Sequence, residues 1–592
     1  MFEFPVRSSL FRPLIAIALL LAATIAAALS AGSVRAAVAV VPGPTAKNAS
    51  IWSEISFRGV KASRAGKITL RGGKSGRHGF RKKRHGDSRG FSLILKRPLQ
   101  PSEWVRVSSR FRVFGAKRRS WSFRTENLRL PRGKKLKPVA RPATGQDGFV
   151  TRPNLKPPVL EVKSTSGKAS SRPLFVASKV AGSTIYDGEG EPVWFRPGIA
   201  MDLRRQNWRG KPVLTWIEVP TKGSGLKRTS YMIANSNYKL IRKFTPGNGY
   251  PADTHEFRLT PRGTAYITSY RTRIRDLRKV GQPKRGRVSD SIAQEIDLKT
   301  GRVIWEWHSL DHVPVGETYA EHPRRPGNPF DYFHINSVAD TPDGNVIISG
   351  RSTNTVYKVS RRTGKVMWRL GGKRSTFRMG PDTGFSWQHD SQLFPGNRVT
   401  IYDNSDSPVT SSPWAEQSSG IILKLNNRKK TARLERRFVN PAKPLASTQG
   451  NLQTLADGNY LVGWGGAPLI SEYTADGNMV FDGRFRGISS YYRAYRAPWH
   501  GRPHGRPALA AKLTSNPGQT RFWVSHNGDT DTRTWRVFAG PSKDSLSHVA
   551  DRARDGFETA TAAPTGETFI QVRGADAKGR PTGISRVIRT ER

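Results

Sequence analysis

Four copies of a turn followed by a strand constrain this chain more than any other feature. They read Thr260-Pro-Arg-Gly263-Thr-Ala-Tyr-Ile, Thr341-Pro-Asp-Gly344-Asn-Val-Ile-Ile, Phe394-Pro-Gly396-Asn-Arg-Val-Thr-Ile and Leu455-Ala-Asp-Gly458-Asn-Tyr-Leu-Val. A glycine one or two residues after Pro or Asp and followed by β-branched and aromatic residues marks a tight turn feeding a strand. A second element, a hairpin ending on an aromatic, recurs between them: Asp297 to Gly301 and on to Trp305, Ser360 to Gly364 and Trp368, and Thr474 to Gly477 and Phe481, with an earlier copy from Gly188 to Trp194. The turn glycines 263, 344, 396 and 458 are spaced by 81, 52 and 62 residues. Units of that length, four short strands each, cannot bury a face alone and must pack on their neighbours. The count predicts an all-β fold with a six-bladed β-propeller over residues 172–500; a generic solenoid is the alternative.

The flanks read differently. Residues 57–129 alternate short strands with Gly/Ser/Pro turns and predict a small β-sandwich (Ig-like); residues 507–592, with runs such as Phe522 to Ser525 and Thr534 to Phe538, predict another. Residues 37–56 and the Pro/Lys-rich stretch 130–171 read as linkers. At the start, Arg7 and Arg12 precede an apolar run from Leu14 to Leu29 and small residues up to Ala36. This is the pattern of a secretory signal peptide over residues 1–36, cut after Ala36. The run is shorter than the ~20 residues a membrane-spanning helix needs. The chain is therefore expected to be exported, either released or kept at the envelope, with an uncleaved N-terminal anchor as the alternative.

Composition decides between function classes. The chain has 592 residues, 99 Lys+Arg, 44 Asp+Glu, a formal charge of +55 and no cysteine. The missing cysteine excludes a disulfide scaffold, a thiol nucleophile and thiolate-bound metal. Such a charge suggests nucleic acid, but an exported protein does not meet a genome, and the charge is unevenly placed. Between Phe57 and Pro142 there are 27 Lys+Arg and three acids, a net of +24. The reading is a basic front domain that holds the protein on an anionic cell-envelope polymer and draws in small anions, with no nucleic-acid partner. A phosphate loop is excluded as well, because Gly371-Gly372-Lys373 has Met367 in place of the first loop glycine and Arg374 in place of Ser/Thr.

Chemistry enters through the repeats. Asp253-Thr-His255-Glu-Phe precedes the Gly263 turn, Phe333-His334-Ile-Asn336 the Gly344 turn, and Trp387-Gln-His389-Asp the Gly396 turn. Each histidine lies seven to ten residues before its glycine, at the matching point of consecutive units. If that strand is innermost, all three aim at one end of a central channel although 134 residues separate the first from the last. Arg351 closes the strand after His334, and Asn336 is two residues from His334, which puts both on one strand face. A guanidinium fork and an amide beside three imidazoles suit a tetrahedral oxyanion such as a sulfate or phosphate ester. An Arg stacked on an aromatic of the repeat is the structural alternative for Arg351. In the last unit Thr448-Gln449-Gly450-Asn451 replaces the histidine with amides, and Gln449 and Asn451 are candidates to contact the organic part of a substrate.

These residues, with Trp368-Arg-Leu-Gly371-Gly372 between them, resemble the bacterial arylsulfotransferases of the aryl-sulfate sulfotransferase type over about residues 253–482. The resemblance implies a six-bladed propeller that moves a sulfuryl group from a phenolic sulfate ester to a phenolic acceptor without a nucleotide sulfate donor or other cofactor. It implies that His389 is the histidine transiently sulfated, that His255 and His334 are its partners, and that Asn336 and Arg351 hold the sulfuryl oxygens. The front domain and tail lie outside it, and no cysteine pair matches the disulfide of some members. The residues themselves agree: a neutral imidazole is a competent nucleophile, and a phenolate of pKa ~10 is a tolerable leaving group. Two other readings use the same residues: three imidazoles binding a transition metal, or a non-catalytic propeller attached to an anionic envelope. The charge distribution makes one prediction of its own. Salt-sensitive retention on anionic cell-wall material should disappear when residues 57–142 are deleted; undiminished retention after that deletion would contradict it.

Overall fold

The computed structural model describes residues 38–591 apart from 47, 48, 50, 52, 85–89, 114, 126–147, 221–227, 321–326 and 406–416. The expected signal segment, residues 1–36, lies outside the described residues. Among the described residues no helix is long and apolar enough to cross a membrane. The fold is all-β, built from many small sheets.

Six sheets follow one another through the repeat region. The second contains Ala200–Trp208, Lys211–Glu218, Ser230–Ala234 and Leu240–Phe244; the third, Phe257–Leu259, Thr264–Arg275, Gly286–Asp297 and Val303–His308. The fourth contains Ile335–Asp340, Val346–Gly350, Thr355–Val359 and Val366–Gly371. The fifth meanders from His389–Phe394 to Thr431–Phe438, with the short strand Arg378–Met379 added in parallel at its outer edge. The sixth runs from Asn451–Thr454 to Met479–Arg486. The repeated turns sit where the sequence places them: Gly263, Gly344, Gly396 and Gly458 all have φ between +73° and +91°. Only glycine enters that region without strain.

The first sheet closes the series with strands from both ends of the region. Leu174–Ser178, Gly182–Tyr186 and Pro192–Arg196 are joined by Ala494–Arg496, antiparallel to Leu174–Ser178. The sixth sheet in turn takes Val159–Thr165, which precedes the first sheet in sequence, as its outer strand. This corrects the reading of 130–171 as a linker throughout. Leu160 of that strand is buried against Tyr186, Phe481 and Phe485, and apolar burial of this kind outweighs the Pro/Lys-rich composition around it.

The front domain has two four-stranded sheets over one core. Phe57 stacks on Phe91 with centroids 4.8 Å apart, and Trp121 meets Phe57 edge-on at 5.7 Å. Its first strand is Ala39–Val41, paired with Ile55–Arg58, so residues 37–56 are not a bare linker either. Val38 and Val40 alternate into the core, and the Trp121 indole donates to the Pro42 carbonyl at 3.0 Å. This domain rests on the third sheet and the helical turn after it through Arg58–Asp311 at 3.2 Å and an Arg271 contact to the Val40 carbonyl. The tail has a three-stranded and a larger mixed-order sheet around Trp535, Phe522 and Val537. It attaches to the first two sheets through Asn527, which pairs with both backbone groups of Phe195, and through Tyr238 and the Gly528 carbonyl.

A network of buried charges lies where the first strands converge. Arg204 pairs with Asp202 and, at 2.7 Å, with Glu256. Arg493, fully buried, reaches Glu256 at 3.3 Å, Asp202 at 3.6 Å and Asp390 at 3.8 Å, and its other amino group donates to the Asn336 carbonyl at 2.7 Å. Arg258 approaches Asp390 from the third sheet at 3.5 Å, and Glu256 accepts the Val338 N–H. Three carboxylates thus face three guanidinium groups, drawn from the second, third and fifth sheets and from the segment entering the first, with backbone groups of the fourth. Burial would raise Glu256, but Arg493, Arg204 and Arg258 outweigh it and hold its carboxyl at about 2. Removing one partner from such a network leaves a buried charge uncompensated, a loss of about 3–5 kcal/mol. Arg493→Met is therefore expected to lower the urea midpoint of the repeat region by a corresponding amount; a midpoint unchanged from wild type would show that the network does not hold the sheets.

Candidate active site

The three histidines stand together at the start of their sheets' first strands. His255 lies two residues before Phe257–Leu259, His334 one residue before Ile335–Asp340, and His389 opens His389–Phe394. The backbone is forced there: His334, Trp387, Asp390 and Gln449 all have φ between +47° and +69°. Non-glycine residues seldom adopt that region, and such strain collects at functional sites. Register shifts interrupt the pairing at Ile335/Ser337 and His389/Gln392, bulges that turn the strand ends.

Each imidazole is oriented through Nδ1. His255 Nδ1 lies 2.8 Å from Asp253 Oδ2, and Thr268 donates to the same carboxylate. His334 Nδ1 meets Asp331. His389 Nδ1 lies 2.7 Å from Asn404 Oδ1. The Asn404 amide nitrogen donates to the carbonyls of Ala446 and Gln449, so its oxygen must be the acceptor and His389 carries its proton on Nδ1. His389 Nε2 then holds the lone pair, and it accepts the Gln449 N–H at 3.3 Å. The rings of His255 and His334 pack edge to face, centroids 4.9 Å apart, with Tyr270 beside both and Tyr492 beside His255.

Electrostatics separate the roles. Burial first, then the Arg351 charge and the two neighbouring histidines, push His389 well below its ordinary value despite the Asn404 hydrogen bond. Burial also lowers His334, although Asp331 opposes it. Burial would raise Asp253, but His255 and Thr268 hold its carboxyl at about 2. Both His389 and His334 are thus neutral bases at neutral pH. Among the described residues no group of three or more His, Asp or Glu has the geometry to hold a metal ion.

Arg351 is buried with its guanidinium 3.5 Å over the Trp387 ring, one amino group donating to the Ser447 carbonyl. The stacking expected as the structural alternative for Arg351 is thus present, on Trp387, two residues from His389. Two sequence-predicted contacts differ. Asn336 is fully buried beneath the site: its Nδ2 donates to the Gln388 carbonyl at 2.7 Å and its backbone carbonyl takes Arg493, so it secures the strand carrying His389 and does not present an amide to the mouth. The bulge at Ile335/Ser337 breaks the alternation that would have put it beside His334. Asn451 exchanges hydrogen bonds with both backbone groups of Ala494, and its neighbour Gln453 does the same with Arg496; these amides sew the sixth sheet to the closing strand. Gln449 does reach the site, through its main-chain N–H.

Asp253, Asp331 and Asn404 were not singled out from the sequence. The spacings Asp-x-His and Asp-x-x-His signal the first two. Asn404 follows from hairpin register, because His389 pairs with Tyr402.

Successive sheets of an all-β protein thus bring three Nδ1-anchored histidines and a buried Arg to one place. Residues 204–486 match the model of the Arylsulfotransferase (ASST) family, and this region belongs to that family. No curated protein matches the chain. Among solved structures it is similar to a protein of unknown function from Bacteroides caccae (13% identity, covering 55% of this chain and 98% of that one, TM-score 0.33). It is also similar to a catalytically inactive virginiamycin B lyase from Staphylococcus aureus (12%, 63% and 96%, TM-score 0.24) and to a streptogramin B lyase (11%, 69% and 87%, TM-score 0.25). Likenesses this distant say nothing about chemistry.

The depressed basicity of His389 is directly measurable. In the protein labelled with 15N-histidine, His389 should stay neutral, protonated on Nδ1, well below pH 6.5, and Arg351→Gln should move its titration upward. An unshifted titration near 6.5 in wild type would contradict the geometry.

Proposed function

We propose that this chain is an exported six-bladed β-propeller, flanked by small β-sandwich (Ig-like) domains, that acts as an aryl-sulfate sulfotransferase through an N-sulfated His389. The sheet series supports the propeller: neighbouring sheets touch in order, the third meeting the fourth through Thr264–Arg275 and the others through their first strands, and Ala494–Arg496 brings the sixth against the first. The observation that carries the chemistry is the fixed tautomer of His389, whose Nε2 keeps its lone pair while the Arg351 charge lowers its basicity.

The sulfuryl group of a phenolic ester would sit between His389 and Arg351. Nε2 attacks sulfur, the bond from sulfur to the phenolic oxygen breaks, and the N–S bond forms. Because charge stays on the peripheral oxygens, catalysis is mostly electrostatic. Arg351 holds two of those oxygens, and the Gln449 N–H, which can no longer bond Nε2, turns to the third. Asp253 and Asp331 keep Nδ1 of His255 and His334 occupied, so both Nε2 atoms face the phenols. One of the two, carrying a proton on Nε2, gives it to the departing oxygen and takes the proton of the incoming phenol in return, which restores it. The second half-reaction returns the sulfuryl group to the new oxygen and restores His389. No cofactor takes part. The basic front domain supports a place at an anionic envelope, and its field favours the approach of sulfate esters.

With 4-nitrophenyl sulfate and phenol, His389→Ala should lose at least about a thousandfold in turnover and His334→Ala about 10²–10⁴-fold. Wild-type turnover in His389→Ala would end this reading.

A further inference from the structure

At the far end of the same first strands lies a cavity of about 650 Å³. Phe394 is five residues along the strand from His389, which at ~3.3 Å per residue places it about 16 Å away. Asp202, Arg204, Glu256, Asp390 and Arg493 lie between the two ends as a closed layer of ion pairs. The cavity is separate from the histidine site.

Its lining includes four arginines, Arg204, Arg205, Arg209 and Arg258, and no Asp or Glu among the described residues. The buried layer accounts for two of them: Arg204 pairs with Asp202 and Glu256, and Arg258 with Asp390. Arg205 and Arg209 have no carboxylate partner among the described residues. Arg205 is half-buried, its Nε is buried without a hydrogen-bond partner, and the Nε atoms of Arg204 and Arg258 are in the same condition. Burial alone, with no opposing carboxylate, pulls the Arg205 guanidinium below its ordinary value. Arg209 is exposed but braced, its guanidinium 4.9 Å from the centre of the Trp208 ring. The amides around them are already used: Gln206 bonds Thr215 and the Phe257 and Leu259 backbone, and Gln453 bonds Arg496. Gln392 is likewise engaged with Arg258 and Asp390, which leaves the guanidinium groups and the exposed Asn207 amide as the donors of the cavity. Partly desolvated cations without partners cost stability unless an anion joins them, and planar guanidinium donors match tetrahedral oxyanions.

We propose that this cavity is a second anion site, which takes a tetrahedral oxyanion (sulfate, phosphate or the head of a sulfate ester) between Arg205 and Arg209. It is independent of transfer through His389.

The test uses the full-length protein and residue-resolved phenylglyoxal modification of arginine, read by peptide mass spectrometry. Four arms contain sodium sulfate, sodium phosphate, 4-nitrophenyl sulfate, or sodium chloride at matched ionic strength. Modification of Arg205 should slow about tenfold at a sulfate concentration about ten times that for half-protection. Arg209→Gln should move half-protection of Arg205 to higher concentration, and His389→Ala should leave it unchanged. Protection by all three oxyanions identifies the tetrahedral head as the ligand; protection by the aryl ester alone identifies an organic sulfate. The proposal is overturned if no oxyanion protects Arg205, if chloride protects it equally, or if the exposed Arg106 and Arg521 are protected to the same degree.

Discussion

A layer of paired charges at the centre of the repeat region is the constraint on which the rest depends. Three carboxylates and three guanidinium groups cannot be buried singly, so Asp202, Glu256, Asp390, Arg204, Arg258 and Arg493 have to converge from different sheets and meet with good geometry. Each sheet alone is a short meander that could slide against its neighbour. The network removes that freedom at the strand ends, and Arg493 carries it to the fourth sheet by holding the Asn336 carbonyl. The sixth sheet is held differently, through Asn451 and Gln453 on the closing strand.

The two faces of this layer differ in purpose. Glu256 follows His255 directly and Asp390 follows His389, so the residues that anchor the strands are chain neighbours of those that point out of them. On the histidine face every imidazole has its Nδ1 occupied, and burial beside Arg351 keeps His389 unprotonated. On the other face Arg205 and Arg209 stand over paired arginines without acids of their own. One set of buried ion pairs thus separates a histidine end from an arginine end.

Much of this was legible in the sequence where local chemistry decides the outcome. Turn glycines need positive φ, so the four repeats marked the sheets, and histidines at equivalent offsets marked the site. What depended on long-range pairing was not legible. Val159–Thr165 resembles its linker surroundings until Met479–Arg486 is beside it, and Ala39–Val41 likewise needs Ile55–Arg58. Strand alternation puts Asn336 beside His334, and the repeat puts Asn451 where other units carry a histidine. A bulge and a closing strand, neither visible in spacing, turned both amides to backbone instead. The same bulges and left-handed residues at His334 and Trp387 aim the site, and nothing in local propensity announces them.

In the proposed transfer the covalent intermediate forms on His389. Trypsin releases it on the segment 379–398, which has no other histidine. After brief exposure of the full-length protein to an aryl sulfate without acceptor, the mass spectrum of that peptide should show one added sulfuryl group on His389, removed when a phenol is supplied. Consumption of the aryl sulfate with that peptide unmodified would contradict the account.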